Sequence, residues 1–471
     1  AGTLTLGGGN TVSGDVTNTA ESLTLDGETI GGTLAAQGGS FTVTPNTATA
    51  GSLSGSANGA LDGTLTLTQA ADTYSGVLSG TGGFTVNGGT EILSGANIYT
   101  GATTVAKGAG LNLPGSIVGD LTTAGTTSVS GGQVGGSTTN SGTLTAQNAT
   151  LHDVTNSAGT ATLTDSTANA LSNAAGATLS VSGGTATSAQ NAGTLTLGGG
   201  NTVSGDVTNT AGSLTLDGET IGGTLAAQGG SFTVTPKAAT AGSLSGSANG
   251  ALDGTLTLTQ AADTYSGILS GTGGLTVNGG TETLNGDNSY TGSTNIGSGA
   301  TLQLGDGGTT GSISQTTAVH NNGQLIVDRS NDLTIAQAID GTGSFTQTGT
   351  GTTTLSGANT YTGVTTVVQG AGLNLPGSVA GDLTTAGTTS VSGGQVGGST
   401  TNSGTLTAQN ATLHDVTNSA GTATLTDSTA NALSNAAGAT LGVSGGTATS
   451  AQNAGTLTLG GGNTVSGDVT N

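Results

Sequence analysis

Cysteine, methionine and tryptophan are missing from the 471 residues, and only five Tyr and four Phe supply aromatic rings. Without cysteine, neither a disulfide nor a thiolate-bound metal can staple the fold. Basic residues are almost as scarce: 3 Lys+Arg face 25 Asp+Glu, a net charge of −22, although charged residues are only 6% of the chain. Nucleic-acid binding needs a basic surface that displaces counterions from phosphates, and three cations cannot provide one. No apolar run is long enough to cross a bilayer as a helix. The 92 Gly show no Gly-X-Y period and Pro is confined to Pro45, Pro114, Pro236 and Pro376, which excludes collagen. What is left is either a disordered chain or a fold held mainly by its backbone.

Self-similarity decides between these. The string AGTLTLGGGNTVSGDVTNTA at Ala1 returns at Ala192, an offset of 192 − 1 = 191, and its first eighteen residues return at Ala454, an offset of 454 − 192 = 262. The units are therefore 1–191, 192–453 and the start of a third at 454–471. The difference, 262 − 191 = 71 residues, is an extra block between Thr291 and about Tyr361. Tolerance of whole inserted blocks is expected where each unit touches only its neighbours, as in one continuous solenoid. The chain opens on Ala1-Gly2 with no initiator Met and no apolar leader, so an export signal is expected outside these residues.

A shorter period sets the fold. The pattern hydroxyl-apolar-hydroxyl-apolar starts at Thr126, Thr143, Thr160, Thr178, Thr194, Ser213 and Ser231, in steps of 17, 17, 18, 16, 19 and 18. Strict alternation indicates strands with one buried face. The inward set is Leu144/Ala146, Ala161/Leu163, Leu179/Val181, Leu195/Leu197, Leu214/Leu216 and Phe232/Val234, and Leu144, Leu163, Leu179 and Leu195 are expected to share an interior column. The outward set, Thr143, Thr145, Thr160, Thr162, Thr178, Ser180, Thr194, Thr196, Ser213 and Thr215, forms a hydroxyl stripe and is the candidate binding face; Ser231/Thr233 continue it. An earlier stretch repeats the stripe with Thr3/Thr5, Ser22/Thr24, Ser40/Thr42 and Thr64/Thr66. Its last step lengthens to 24, which reads as a loop at a corner. Asn140, Asn156, Asn173, Asn191 and Asn209, each followed within three residues by Gly, read as sharp corners. Two or three short strands per rung then give an all-β, parallel β-helix with a thin core. At roughly 4.8 Å per rung it would be a rod of about 26 rungs and about 120 Å.

Particular residues carry a family resemblance. LSGANIYTGATTV (93–105), LNGDNSYTGSTNI (284–296) and LSGANTYTGVTTV (355–367) share an N-x-Y-T-G core and resemble the autotransporter-associated β-strand repeat. The resemblance implies a right-handed parallel β-helix passenger exported through a C-terminal outer-membrane β-barrel, expected beyond these residues, to the extracellular surface of a Gram-negative bacterium. It also implies work in adhesion or self-association.

Catalysis is poorly served. Lyases on β-helices need Arg or Lys beside a developing enolate, and Arg329 is the one arginine, with Lys107 and Lys237 far off in sequence. Asp26/Glu28 and their copies Asp217/Glu219 have the spacing of a carboxylate pair on one strand face, but LDGETIGG reads more simply as a corner. His152/Asp153, copied at His414/Asp415, point to opposite faces of a strand and read as a solvated surface rather than a relay. The five Tyr read as covering a corner of the thin core with the phenol reaching a partner; an aromatic platform for sugars is the alternative. Ice binding by the T-x-T ladder is set aside because rung length wanders. The expectation is a non-enzymatic adhesin without cofactor or metal. Its partner would be another copy of itself, a host surface protein or a neutral glycan, and not nucleic acid or another polyanion. The competing reading is a structural stalk that displays another domain.

Overall fold

The computed structural model describes residues 2–471, and among them every named element is a β-strand. The chain forms two compact units, one running to Gly223 with Gly229–Ser231, the other comprising Thr224–Gln228 and Phe232–Asn471. Each is a parallel β-solenoid.

One coil of the first unit shows the construction. Thr143–Gln147, Thr150–Leu151 and Val154–Asn156 form its three sides, and the chain then reaches Thr160–Thr164, which pairs in parallel with Thr143–Gln147 residue for residue. The unit thus has three faces. Thr126–Ser130, Thr143–Gln147, Thr160–Thr164, Thr178–Ser182, Thr194–Gly198 and Ser213–Asp217 stack on the first face. Leu4–Gly7 begins the second, and Thr11–Val12 the third. Alternation turns the aliphatic residues inward on all three.

The core is thin but closed. The inward set between Leu144 and Val234 is no more than 3% exposed. It makes two columns on the first face rather than one: Leu144, Ala161, Leu179, Leu195 and Leu214, beside Ala146, Leu163, Val181, Leu197 and Leu216. Leu163 therefore stacks with Ala146, not with Leu144. The exchange has a volume logic, because the Leu/Ala order of one coil is reversed as Ala/Leu on the next and total volume per coil is kept.

The asparagines correct the sequence reading. None of the five has a left-handed backbone; those angles fall on Asn148, Asp165, Gly159, Gly176 and Gly212. Asn140, Asn156, Asn173, Asn191 and Asn209 instead end strands of the third face with side chains inside, at most 2% exposed. Each amide donates to the next: Asn140 Nδ2 to Asn156 Oδ1 at 2.7 Å, then 2.9, 2.8 and 2.7 Å along the column. The second unit repeats the ladder through Asn402, Asn418, Asn435, Asn453 and Asn471. Next to it the glycines let backbones touch: a Cβ on Gly159 would lie 2.1 Å from the Gly142 carbonyl oxygen.

Copies of the long repeat do not superpose by translation. TLTL from Thr3 lies on the second face, where Leu4–Gly7 pairs with Leu23–Asp26, whereas the identical TLTL from Thr194 lies on the first. Likewise Thr11–Val12 is on the third face and its copy Thr202–Val203 on the second. A spacing of 191 residues is hence not a whole number of coils. In the second unit the 71-residue block has the same property. Thr294–Ile296, between Leu275–Val277 and Val319–Asn321, and its counterpart Thr365–Val367, between Ser344–Gln347 and Leu383–Thr385, sit on different faces. The long step to Thr64 has a related cause. Ser40 and Thr42 are followed on their own face by Asn58 and Ala60, while Leu65–Leu67 pairs with Ala48–Ala50 on the third face. The ladder changes face there; it does not loop out.

Asn173 links two ladder neighbours and also donates to the Thr194 carbonyl at 2.9 Å. Asn173→Ala should therefore lower stability by about 1–3 kcal/mol, since buried partners lose their bonds. Thr162→Ala on the outer surface should change it by less than about 0.5 kcal/mol. Urea midpoints of the two variants check this; equal shifts would remove the ladder's importance.

Candidate binding face

The ten predicted hydroxyl residues come together. They form two parallel columns on the first face, Thr143, Thr160, Thr178, Thr194 and Ser213 beside Thr145, Thr162, Ser180, Thr196 and Thr215, in unbroken register over five coils. All are exposed or half-buried. None of their hydroxyls bonds to another described residue, so donor and acceptor capacity both face outward. Rung length wanders only in the turns; these strands hold their register. The acids of this stretch, Asp153, Asp165 and Asp206, stand in turns, and Asp217 ends the last strand. The grid itself carries no charge.

The tyrosines are not on the surface. All five are at most 1% exposed. Tyr99, Tyr290 and Tyr361 place their hydroxyls 2.6, 2.7 and 2.6 Å from Thr103, Thr294 and Thr365, four residues on. Tyr74 and Tyr265 donate to the carbonyls of Ala57 and Ala248. Burial pushes every one of these phenols above the usual tyrosine range. Phe41, Phe84, Phe232 and Phe345 are equally buried, so no ring is available for sugar stacking. The N-x-Y-T-G core is a corner plug. Asn97 accepts from the Leu78 amide at 3.0 Å and donates to the Gly95 and Ser116 carbonyls, the ring fills the space behind it, and Thr103 closes the phenol.

The remaining polar candidates are structural. Glu28 is buried, which raises its carboxyl above the ordinary range, and its Oε2 accepts from the Asp26 amide at 2.7 Å. Asp26 turns away, held low by hydrogen bonds from Thr44 and Asn46. The LDGE segment is a corner, as its glycine suggested. His152 and Asp153 lie in a turn after Leu151, where strand alternation no longer applies; they approach to 3.4 Å rather than facing apart, and both remain well exposed. Asn169 is the main cause of the lowered Asp153 carboxyl. A cross-strand pair, His320 with Asp340 at 2.8 Å, escaped the sequence reading. Arg329 is buried and donates to the carbonyls of Thr309 and Gly311 and to Asn331, so its guanidinium fixes a loop. Among the described residues no group of three or more His, Cys, Asp or Glu is arranged to hold a metal. An open groove of about 370 Å³ is lined by Gly299, Asn322, Gln324, Thr342, Gly343 and Gly363 among other small or polar residues, with no acid or base.

Sequence reasoning also missed Glu91 and Glu282, which are fully buried. Their signal was present, because in TEIL and TETL a glutamate occupies an inward slot of an alternating strand.

A family model described as passenger-associated-transport-repeat matches residues 88–109, 279–304, 345–375 and 451–470. This chain carries the repeats of an autotransporter passenger. Three of the matches contain the corner plugs at Tyr99, Tyr290 and Tyr361; the fourth lies over the third copy of TLTL, where no plug occurs. Comparison with curated proteins and with solved structures finds no match. Passengers of this kind are secreted to the surface of Gram-negative cells.

Because the phenols are buried and hydrogen-bonded as neutral groups, spectrophotometric titration of the passenger should show no tyrosinate through the ordinary tyrosine range, then a single rise together with loss of β-structure. The folded phenols bind protons that the unfolded ones release, so stability falls as pH climbs past the unfolded tyrosine value near 10. Tyrosinate appearing there in the folded protein would contradict the plug.

Proposed function

We propose that this passenger is a non-enzymatic surface adhesin whose contacts are made by the hydroxyl grid. The observation that supports this most directly is the register of the ten Thr and Ser residues, uncharged and open to solvent, on a chain of net charge −22. Single hydroxyl contacts are weak. Held at fixed spacing, each one after the first forms intramolecularly, and avidity grows without any strong site. A second copy, a host surface protein or a neutral glycan fits such a surface; a polyanion is repelled. With every aromatic ring buried, a glycan would have to be held by hydroxyls alone. Attachment to the cell through a C-terminal outer-membrane β-barrel belongs to this reading, as do roles in aggregation and biofilm.

The repetition, and a groove lined only by small or polar residues, also support a stalk that projects another domain. Display of this chain on a non-adherent Gram-negative cell separates the two. An adhesin confers clumping or attachment, and a variant with Thr145, Thr162 and Thr196 changed to Val loses most of it while keeping its β-sheet circular dichroism. A stalk confers neither. If the partner is another copy, acidic chains repel, and sedimentation should show association strengthening as salt rises. Monomers at every ionic strength would reject the homotypic form.

A further inference from the structure

In each unit a buried glutamate lies beside a half-buried aspartate on the neighbouring coil. Thr90–Leu93 turns Glu91 inward with no exposure. The pairing of Thr73 with Ile92 and Tyr74 with Leu93 sets Asp72, half-buried, beside it on the preceding coil. The column therefore runs from Leu53 through Asp72 and Glu91 to Leu111. Both carboxyls reach back two coils: Asp72 Oδ2 accepts from Thr33 Oγ1 at 3.1 Å, and Glu91 Oε2 lies 3.4 Å from Ser52 Oγ and faces the Leu53 amide. Glu91 Oε1 has no hydrogen-bond partner among the described residues. The second unit repeats the arrangement with Asp263 bonded to Thr224, Glu282 facing the Leu244 amide, and Leu302 next in the column. The charged neighbour acting on Glu91 is Asp72, and on Glu282 it is Asp263. The adjacent phenols of Tyr74 and Tyr265 are turned to carbonyls, and among the described residues no cation acts on Glu91 or Glu282.

A fully buried carboxyl with a second carboxylate on the neighbouring strand, about 5 Å away, is not ionised without a counterion. We propose that each pair holds a structural proton and acts as a pH-sensitive latch, closing the coils from Leu53 to Leu111 and from Leu244 to Leu302 in acid and loosening them as the medium turns alkaline.

Burial, with the adjacent aspartate adding to it, pushes Glu91 and Glu282 up to about 9 from an ordinary value of 4.5. Below 4.5 both folded and unfolded chains carry the proton and the latch is at full strength. Between 4.5 and 9 only the folded chain keeps it, so stability declines across this window. One pH unit there is about a tenfold change in the opening equilibrium per pair.

Amide hydrogen exchange on the whole chain, corrected for intrinsic rates, tests the latch in peptides spanning 72–93 and 263–284. Protection should fall by up to about tenfold per pH unit between pH about 5 and 9. It should become flat in the Glu91→Gln, Glu282→Gln double variant, with protection elsewhere unchanged. Asp72→Asn, which removes only the neighbouring charge, should lower the folded Glu91 value and so end the fall in 72–93 at a lower pH, and it keeps the test open if the double variant does not fold. A flat wild-type profile, or an unchanged slope in the double variant, overturns the proposal. So does a saturable gain in protection on adding calcium chloride that the glutamine variants lose, because the pair would then hold a cation rather than a proton.

Discussion

Each coil must find its hydrogen-bond partners on the coils before and after it, and nearly everything else in the fold is subordinate to that constraint. Parallel pairing in strict register puts like positions above like positions, so whatever one coil offers the next must accept. Aliphatic side chains stack into columns, hydroxyls into a grid, and amides into a ladder. The constraint also explains why so few large side chains are needed. Backbone groups are satisfied between coils, and the interior has only to be filled, which Leu, Val and Ala do with single-coil exchanges such as Leu144/Ala146 for Ala161/Leu163.

The same constraint limits what could be read from the amino acids alone. Alternation over four or five residues announced the strands, the inward set and the hydroxyl set, because a period of two has one structural meaning. The three-sided path was harder. A strand does not state which face it occupies, so the ladder at Thr64 looked continuous with that at Ser40 although the two lie on different sides. Asparagine was ambiguous for a chemical reason. It tolerates left-handed backbone and also carries an amide that is donor and acceptor at once, and Asn140 and its successors use the second property while Asn148 uses the first. Glu91 was passed over because a charged residue in a strand is ordinarily assigned outward. Only its parity with Leu93 betrays it.

The rotation between copies has a consequence for how such chains vary. If blocks could be gained only as whole coils, every copy of a segment would face the same way. Within the first unit the two copies of TLTL face differently and are still accommodated, since each side supplies the same kind of interior slot to its neighbours. The exchangeable element is thus one side of a coil, not one coil. Sequence identity between copies then preserves the core while turning the outer surface.

That turning bears on the adhesive role proposed above. Five coils at about 4.8 Å, each strand five residues long at about 3.3 Å per residue, make the grid roughly 400 Å². A stable protein interface buries about 800 Å² on each partner. One grid therefore supports only weak, reversible contact, and retention at a surface requires several grids to act together. Grids on one face can be summed only by a partner lying along that face. Copies turned to another face would contribute when contact comes from more than one direction. Under the proposed adhesive role, turned repeats accordingly favour contact with several neighbours over the clamping of a single flat one.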